Sequence, residues 1–190
     1  MTTLTAAPPR TTTRTLRTGA ALLALSCVVL AIFDLFIPTT QDFRGPAEYV
    51  YTVDGVPFVL GLVLMLVGLR GIQRGQDGKL GFAGLLLVTI GVAAIGIALI
   101  ASVITASENS FGPAYPLGAL TSFIGMVVFT IGALRARVLP WWMTPALTVT
   151  WIVGGPVGDG GPLGFPASGL LLAAVATAIA ALAPRAASRP

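Results

Sequence analysis

The chain has 190 residues, of which 55% are hydrophobic and 9% charged, with a formal net charge of +4 and a mean hydropathy of +0.91. A soluble domain carries about 25% charged residues, so an ordinary water-soluble fold is excluded; the scatter of the Lys and Arg residues between apolar runs argues equally against a nucleic-acid surface. Histidine is absent and Cys27 is the single cysteine, which excludes an intrachain disulfide, a Cys/His zinc site, His-ligated haem and any Ser-His or Cys-His catalytic pair.

Taken in order, residues 1–18 are Thr-rich, with Pro8, Pro9, Arg10, Arg14 and Arg17, and read as a disordered basic tail lying on an anionic membrane surface. Gly19 to Ile37 is the first predicted span. A basic flank before an apolar run also describes a signal peptide, but the run continues well past Cys27, so Cys27 is expected to be a small buried residue. After the polar loop of residues 38–48, the second span is predicted at Tyr49 to Leu69, with Pro57 in its early part. The third, Leu80 to Ala106, is the longest uncharged run in the chain, bounded by Lys79 and Glu108, and exceeds the about 20 residues that cross a bilayer. The fourth is predicted at 114–134, the fifth at 140–153 and the sixth at 163–183, leaving a short tail at 185–190. The predicted fold class is therefore all-α, a polytopic bundle of six transmembrane helices.

The charges test this count. With six spans, one set of connecting segments holds Arg10, Arg14, Arg17, Arg70, Arg74, Lys79, Arg135, Arg137, Arg185 and Arg189, and the other holds Arg44 alone. By the positive-inside rule both termini are then cytoplasmic. The acids mirror the cations, with Asp42, Glu48, Glu108 and Asp159 outside and Asp77 inside.

In lipid, helices associate through close backbone approach and interhelical polar bonds, so small residues are expected to mark the seams. Gly118, Gly125 and Gly132 repeat every seven residues in the fourth span, near Ser122; Ala94, Ala98, Ser102 and Ala106 repeat every four in the third; Gly169, Ala173, Thr177 and Ala181 do so in the sixth; the second has Gly61 and Gly68. A composition simply rich in Ala and Gly is the competing explanation. The aromatics Tyr49, Tyr51, Tyr115, Trp141, Trp142 and Trp151 suit the interfacial belt. The hydroxyls Thr89, Thr121, Ser122, Thr130, Thr148 and Thr150 are expected to bond back to their own helices.

Two acids, Asp34 and Asp54, fall inside predicted spans, each near the outer end. Ionisable groups within spans often mark ion or proton paths, and Arg44 is positioned in sequence to neutralise either. The commoner reading of such acids, about one turn from the boundary, is ordinary interfacial placement. The segment GGPVGDGGP lacks the Gly-Lys-Ser/Thr ending of a phosphate-binding loop and reads as a flexible connection.

At LRARVLPWW, residues 134–142, the chain resembles small six-span membrane proteins common in high-GC actinobacteria, in which a basic turn of the form L-R-A-R-x-L-P-x-W leads from the fourth span into the fifth. The resemblance implies the topology and a bacterial cytoplasmic membrane, and no activity. The expected function is a non-enzymatic accessory or interaction subunit without cofactor or metal, whose partners are the bilayer and another membrane protein or a second copy, with no nucleic acid. The alternative is a small oligomeric proton- or cation-linked transporter or channel using Asp34 and Asp54.

Overall fold

The computed structural model describes residues 10–36, 43, 45–107, 112–155 and 164–187. They form six helices: α1 Arg10–Phe36, α2 Pro46–Ile72, α3 Gly78–Thr105, α4 Ala114–Ala136, α5 Met143–Gly154 and α6 Gly164–Ala186. Five of them are long and apolar enough to cross a membrane, the pattern of a multi-pass integral membrane protein.

Three boundaries differ from the sequence expectation. Residues 10–18 belong to α1 and are no tail: Leu16 is fully buried and lies against the backbone side of Gly68, while Thr12 lies against Gly71. α2 begins at Pro46, since proline needs no N–H partner in a first turn, and the Gly45 N–H donates to the Glu48 carboxylate at 3.0 Å. The predicted fifth span is a helix of 12 residues, about 18 Å at 1.5 Å per residue, too short for a hydrocarbon core of about 30 Å. Pro140 and Gly154-Gly155 bracket it and stop its extension at both ends.

Around the bundle each helix packs on the next in sequence, and α1 closes the ring against α6. Two seams are glycine contacts. Between α1 and α2, a Cβ on Gly61 would come 2.5 Å from the Leu23 nitrogen, and one on Gly68 2.5 Å from the Leu16 Cα. Between α3 and α4, a Cβ on Gly118 would lie 2.6 Å from the Gly91 oxygen, one on Gly125 2.5 Å from the Val88 nitrogen, and one on Gly132 2.5 Å from the Gly81 nitrogen. Rising numbers on one helix meet falling numbers on the other, so both pairs are antiparallel.

The predicted α4 stripe of Gly118, Gly125 and Gly132 is thus the seam itself, but its partner on α3 is Gly81, Gly84, Val88 and Gly91, displaced from the predicted alanine stripe. Of that stripe, Ala94 lies beside Gly118, Ala98 and Ser102 are buried, and Ala106 is an exposed left-handed residue (φ 49°) ending α3. On α6, Gly169 and Ala173 are buried but Thr177 and Ala181 are exposed. The buried face runs instead through Ser168, Leu172, Ala176, Ile179 and Ala183.

Thr89, Thr121 and Thr150 bond back to Leu85, Leu117 and Ala146 of their own helices. Thr130 and Thr148 do not follow that expectation: their hydroxyls meet at 2.7 Å across α4 and α5, Thr130 also reaches the Thr144 carbonyl, and Thr148 the Met126 carbonyl. Thr148→Val is expected to destabilise by about 1 kcal/mol, within the range for interhelical bonds in lipid, and Thr89→Val by less than about 0.5 kcal/mol; unfolding in mixed micelles would show the difference.

Candidate functional site

One aromatic pair packs between helices inside the bundle. Trp151, on the short α5, is fully buried and stacks on Phe58 of α2 with centroids 5.3 Å apart. Its indole N–H donates to the Ser122 hydroxyl of α4 at 3.2 Å, and that hydroxyl donates onward to the Ala119 carbonyl. This corrects the reading of Trp151 as an interfacial anchor: on a helix that stops short, its last turn ends inside the bundle. Trp141 remains exposed at 77%, as a belt residue would be. Trp142 packs partly against the core. Tyr49 and Tyr51 are half-buried, set against Phe43 and Phe33 at 5.2 and 6.4 Å respectively.

The two intramembrane acids are not brought together. Asp54 pairs across the α1–α2 seam with the Ser26 hydroxyl, while Asp34 is exposed and lies eight residues beyond Ser26 on α1, about 12 Å further along the axis. By the seam register, with Gly61 on Leu23 and Gly68 on Leu16, Asp54 lies about level with Leu30, roughly four residues or 6 Å along the axis from Asp34, and Asp34 is exposed while Asp54 is half-buried. Arg44, the third member of the proposed acidic site, lies outside the described residues.

Around Asp54 the chain builds a shallow groove of about 310 Å³, lined by Tyr49, Val50, Val53, Asp54 and Pro57. Pro57 has no N–H for the Val53 carbonyl, which loosens the helix there. The Asp54 Oδ2 is buried and meets no hydrogen-bond donor among the described residues. Cys27 is fully buried on the neighbouring turn. These groups can bind a proton or a donor; among the described residues no cluster of three or more His, Cys, Asp or Glu side chains is placed to hold a metal.

A second polar cluster, missed in the sequence, sits where α2 turns into α3. Arg70 Nε donates to Asp77 Oδ2 at 3.1 Å, and the Asp77 side chain is fully buried. The guanidinium also lies 4.9 Å over the Phe82 ring. Gln73 is fully buried, and neither its amide atoms nor Asp77 Oδ1 has a hydrogen-bond partner among the described residues. The seven-residue spacing of Arg70 and Asp77 was the available signal, hidden in what looks like an ordinary basic turn.

The chain was compared with family models, curated proteins and solved structures. None of them matches it. What remains is the architecture: a ring of apolar helices, with one carboxylate oxygen of Asp54 on α2 and one of Asp77, in the turn after α2, without a hydrogen-bond partner among the described residues.

Proposed function

We propose that the protein is an integral membrane accessory or interaction subunit that performs no catalysis, sits in a bacterial cytoplasmic membrane as the resemblance of residues 134–142 suggests, and has its N-terminus in the cytoplasm. The observation that carries this reading is the Trp151–Phe58 stack across the ring, which fills the space a conduit would use. The orientation is supported by the charges, since Arg14, Arg70, Arg74, Lys79 and Arg135 all lie where α1 begins, α2 ends, α3 begins and α4 ends, one end of an antiparallel ring, and the cytoplasmic side collects cations. A stable partner that co-purifies in fixed stoichiometry is the expected result; a monomer that purifies alone from native membranes would count against the reading.

The unpartnered Asp54 Oδ2 favours one other reading, a small proton- or cation-linked transporter. Cysteine labelling separates the two. In a Cys27→Ser background, single cysteines at positions 34, 54 and 110 are treated in intact cells with an impermeant maleimide. Position 34 is expected to label as fast as the outer control at 110, and position 54 more slowly, because it is half-buried against Ser26 of α1. Cation-dependent labelling at 54, together with proteoliposome flux abolished by Asp54→Asn, would put transport in place of the accessory role.

A further inference from the structure

The end of α4 carries a second cleft, on the opposite side of the membrane from Asp54 in the proposed topology. It is a shallow, open depression of about 500 Å³ lined by Ile131, Leu134, Arg135 and Arg137. On a regular helix, residues two apart point to nearly opposite sides, because each residue turns the helix by about 100°. Here Arg137 ends α4 in the left-handed conformation, φ 53°, and this reversal lets both arginines line one cleft. Both are exposed, and neither has a carboxylate partner among the described residues, where the Arg70–Asp77 pair takes up the nearby acid.

The order of groups along the axis matters. Ile131 and Leu134 are exposed on the apolar flank of α4, at 42% and 39%. The two guanidiniums follow within three residues of Leu134, and the turn they open carries Trp141, 77% exposed, a residue type that favours the membrane interface. An apolar wall facing the hydrocarbon and a pair of cations at its rim are complementary to one kind of molecule, an amphiphile with a negative headgroup. Guanidiniums bind phosphate oxygens through paired N–H donors, and basic pockets of this kind at the membrane surface hold anionic lipid headgroups.

We infer that this cleft binds the phosphate headgroup of an anionic phospholipid, with an acyl chain lying along Ile131 and Leu134. The inference rests on the membrane-spanning reading but not on the accessory role. It applies to the lipid immediately beside α4, and it gives the LRARVLP segment a ligand.

The test uses the full-length protein in nanodiscs of phosphatidylcholine with a minority of phosphatidylglycerol. Circular dichroism first confirms helical insertion, which tests the membrane reading separately. Native mass spectrometry then counts the lipid retained on the released protein. The wild type is expected to keep phosphatidylglycerol over phosphatidylcholine, and R135Q/R137Q to lose about thirty-fold of that preference, the effect of two surface cations. R14Q/R17Q removes the same charge from exposed positions on α1 and is expected to retain most of it; R135K/R137K should retain an intermediate share, since lysine keeps charge but not the paired donors. Equal losses from the α4 and α1 variants, or no preference in the wild type, would overturn the proposal. Because both arginines are exposed, the thermal unfolding of the α4 variant is expected to match the wild type, so a lost preference reads as lost binding.

Discussion

Trp151→Ala is expected to be among the most damaging truncations in the chain, costing about 3 kcal/mol, the low end of the range for removing a buried Trp. The low end applies because lipid, unlike water, gives apolar side chains no transfer advantage for leaving it; what is lost is the dispersion contact with Phe58 and the filled volume. Trp151→Phe separates the parts. It keeps a ring against Phe58 at the 5.3 Å separation but removes the N–H donated to Ser122. Its expected cost is about 1 kcal/mol, moderated because Ser122 still donates to the Ala119 carbonyl. Equilibrium unfolding in mixed detergent micelles would measure both, with Trp141→Ala as reference. Trp141 is exposed at 77% and its truncation is expected to stay within about 0.5 kcal/mol. If Trp151→Ala cost no more than Trp141→Ala, Trp151 would be an interfacial anchor after all and its packing inside the bundle would be wrong.

That contrast shows what the sequence could and could not convey. α2, α3 and α4 were legible because each is a long apolar run ended by charge, glycine or proline, and hydropathy responds to that directly. α5 was not, because its composition suits a span and only the distance between Pro140 and Gly154 reveals that 12 residues are available. The error then spread to Trp151, since a tryptophan at the end of a full span lies at an interface and one at the end of a short helix lies inside. The start of α1 was hidden for the opposite reason. Arg10, Arg14 and Arg17 with their threonines look unlike a span, yet Leu16 and Thr12 are packed on the glycines of α2, and it is this tertiary contact, not local hydropathy, that accompanies the longer helix.

For the candidate site, the sequence located Asp54 but not its company. Its partner Ser26 belongs to a helix whose phase relative to α2 is set by which glycines meet which backbone, and no single-helix pattern carries that information. Asp77 and Gln73 escaped because turn residues between charged neighbours are normally solvated; burial follows here from the close approach of Gly132 to Gly81 and to the Asp77 backbone, which folds the turn under the end of α4.

The α3–α4 glycines offer a test in which the sign of the effect decides. If glycine is present in these helices only because the composition is rich in small residues, then Gly91→Ala and Gly125→Ala should stabilise, since alanine exceeds glycine in helix propensity by about 0.8–1.0 kcal/mol. The seam predicts the reverse. A Cβ at position 91 would lie 2.5 Å from the Ser122 nitrogen and 2.6 Å from the Gly118 oxygen, and one at 125 would lie 2.5 Å from the Val88 nitrogen. These are backbone atoms of a neighbouring helix, so no side chain can swing aside and the helices themselves must separate. Overpacking of this kind costs about 1–3 kcal/mol, enough to override the propensity gain. Gly91 and Gly118 oppose each other, so once one alanine has forced the helices apart the second has less to displace, and the double variant is expected to cost less than the sum of the singles. Ala106→Leu and Ala181→Leu, at exposed positions of the two predicted stripes that miss the seams, are expected to be neutral within about 0.5 kcal/mol. Stabilisation by Gly91→Ala would mean that α3 and α4 do not meet where the structure places them, and the burial of Asp77 and Gln73 beneath that contact would fall with it.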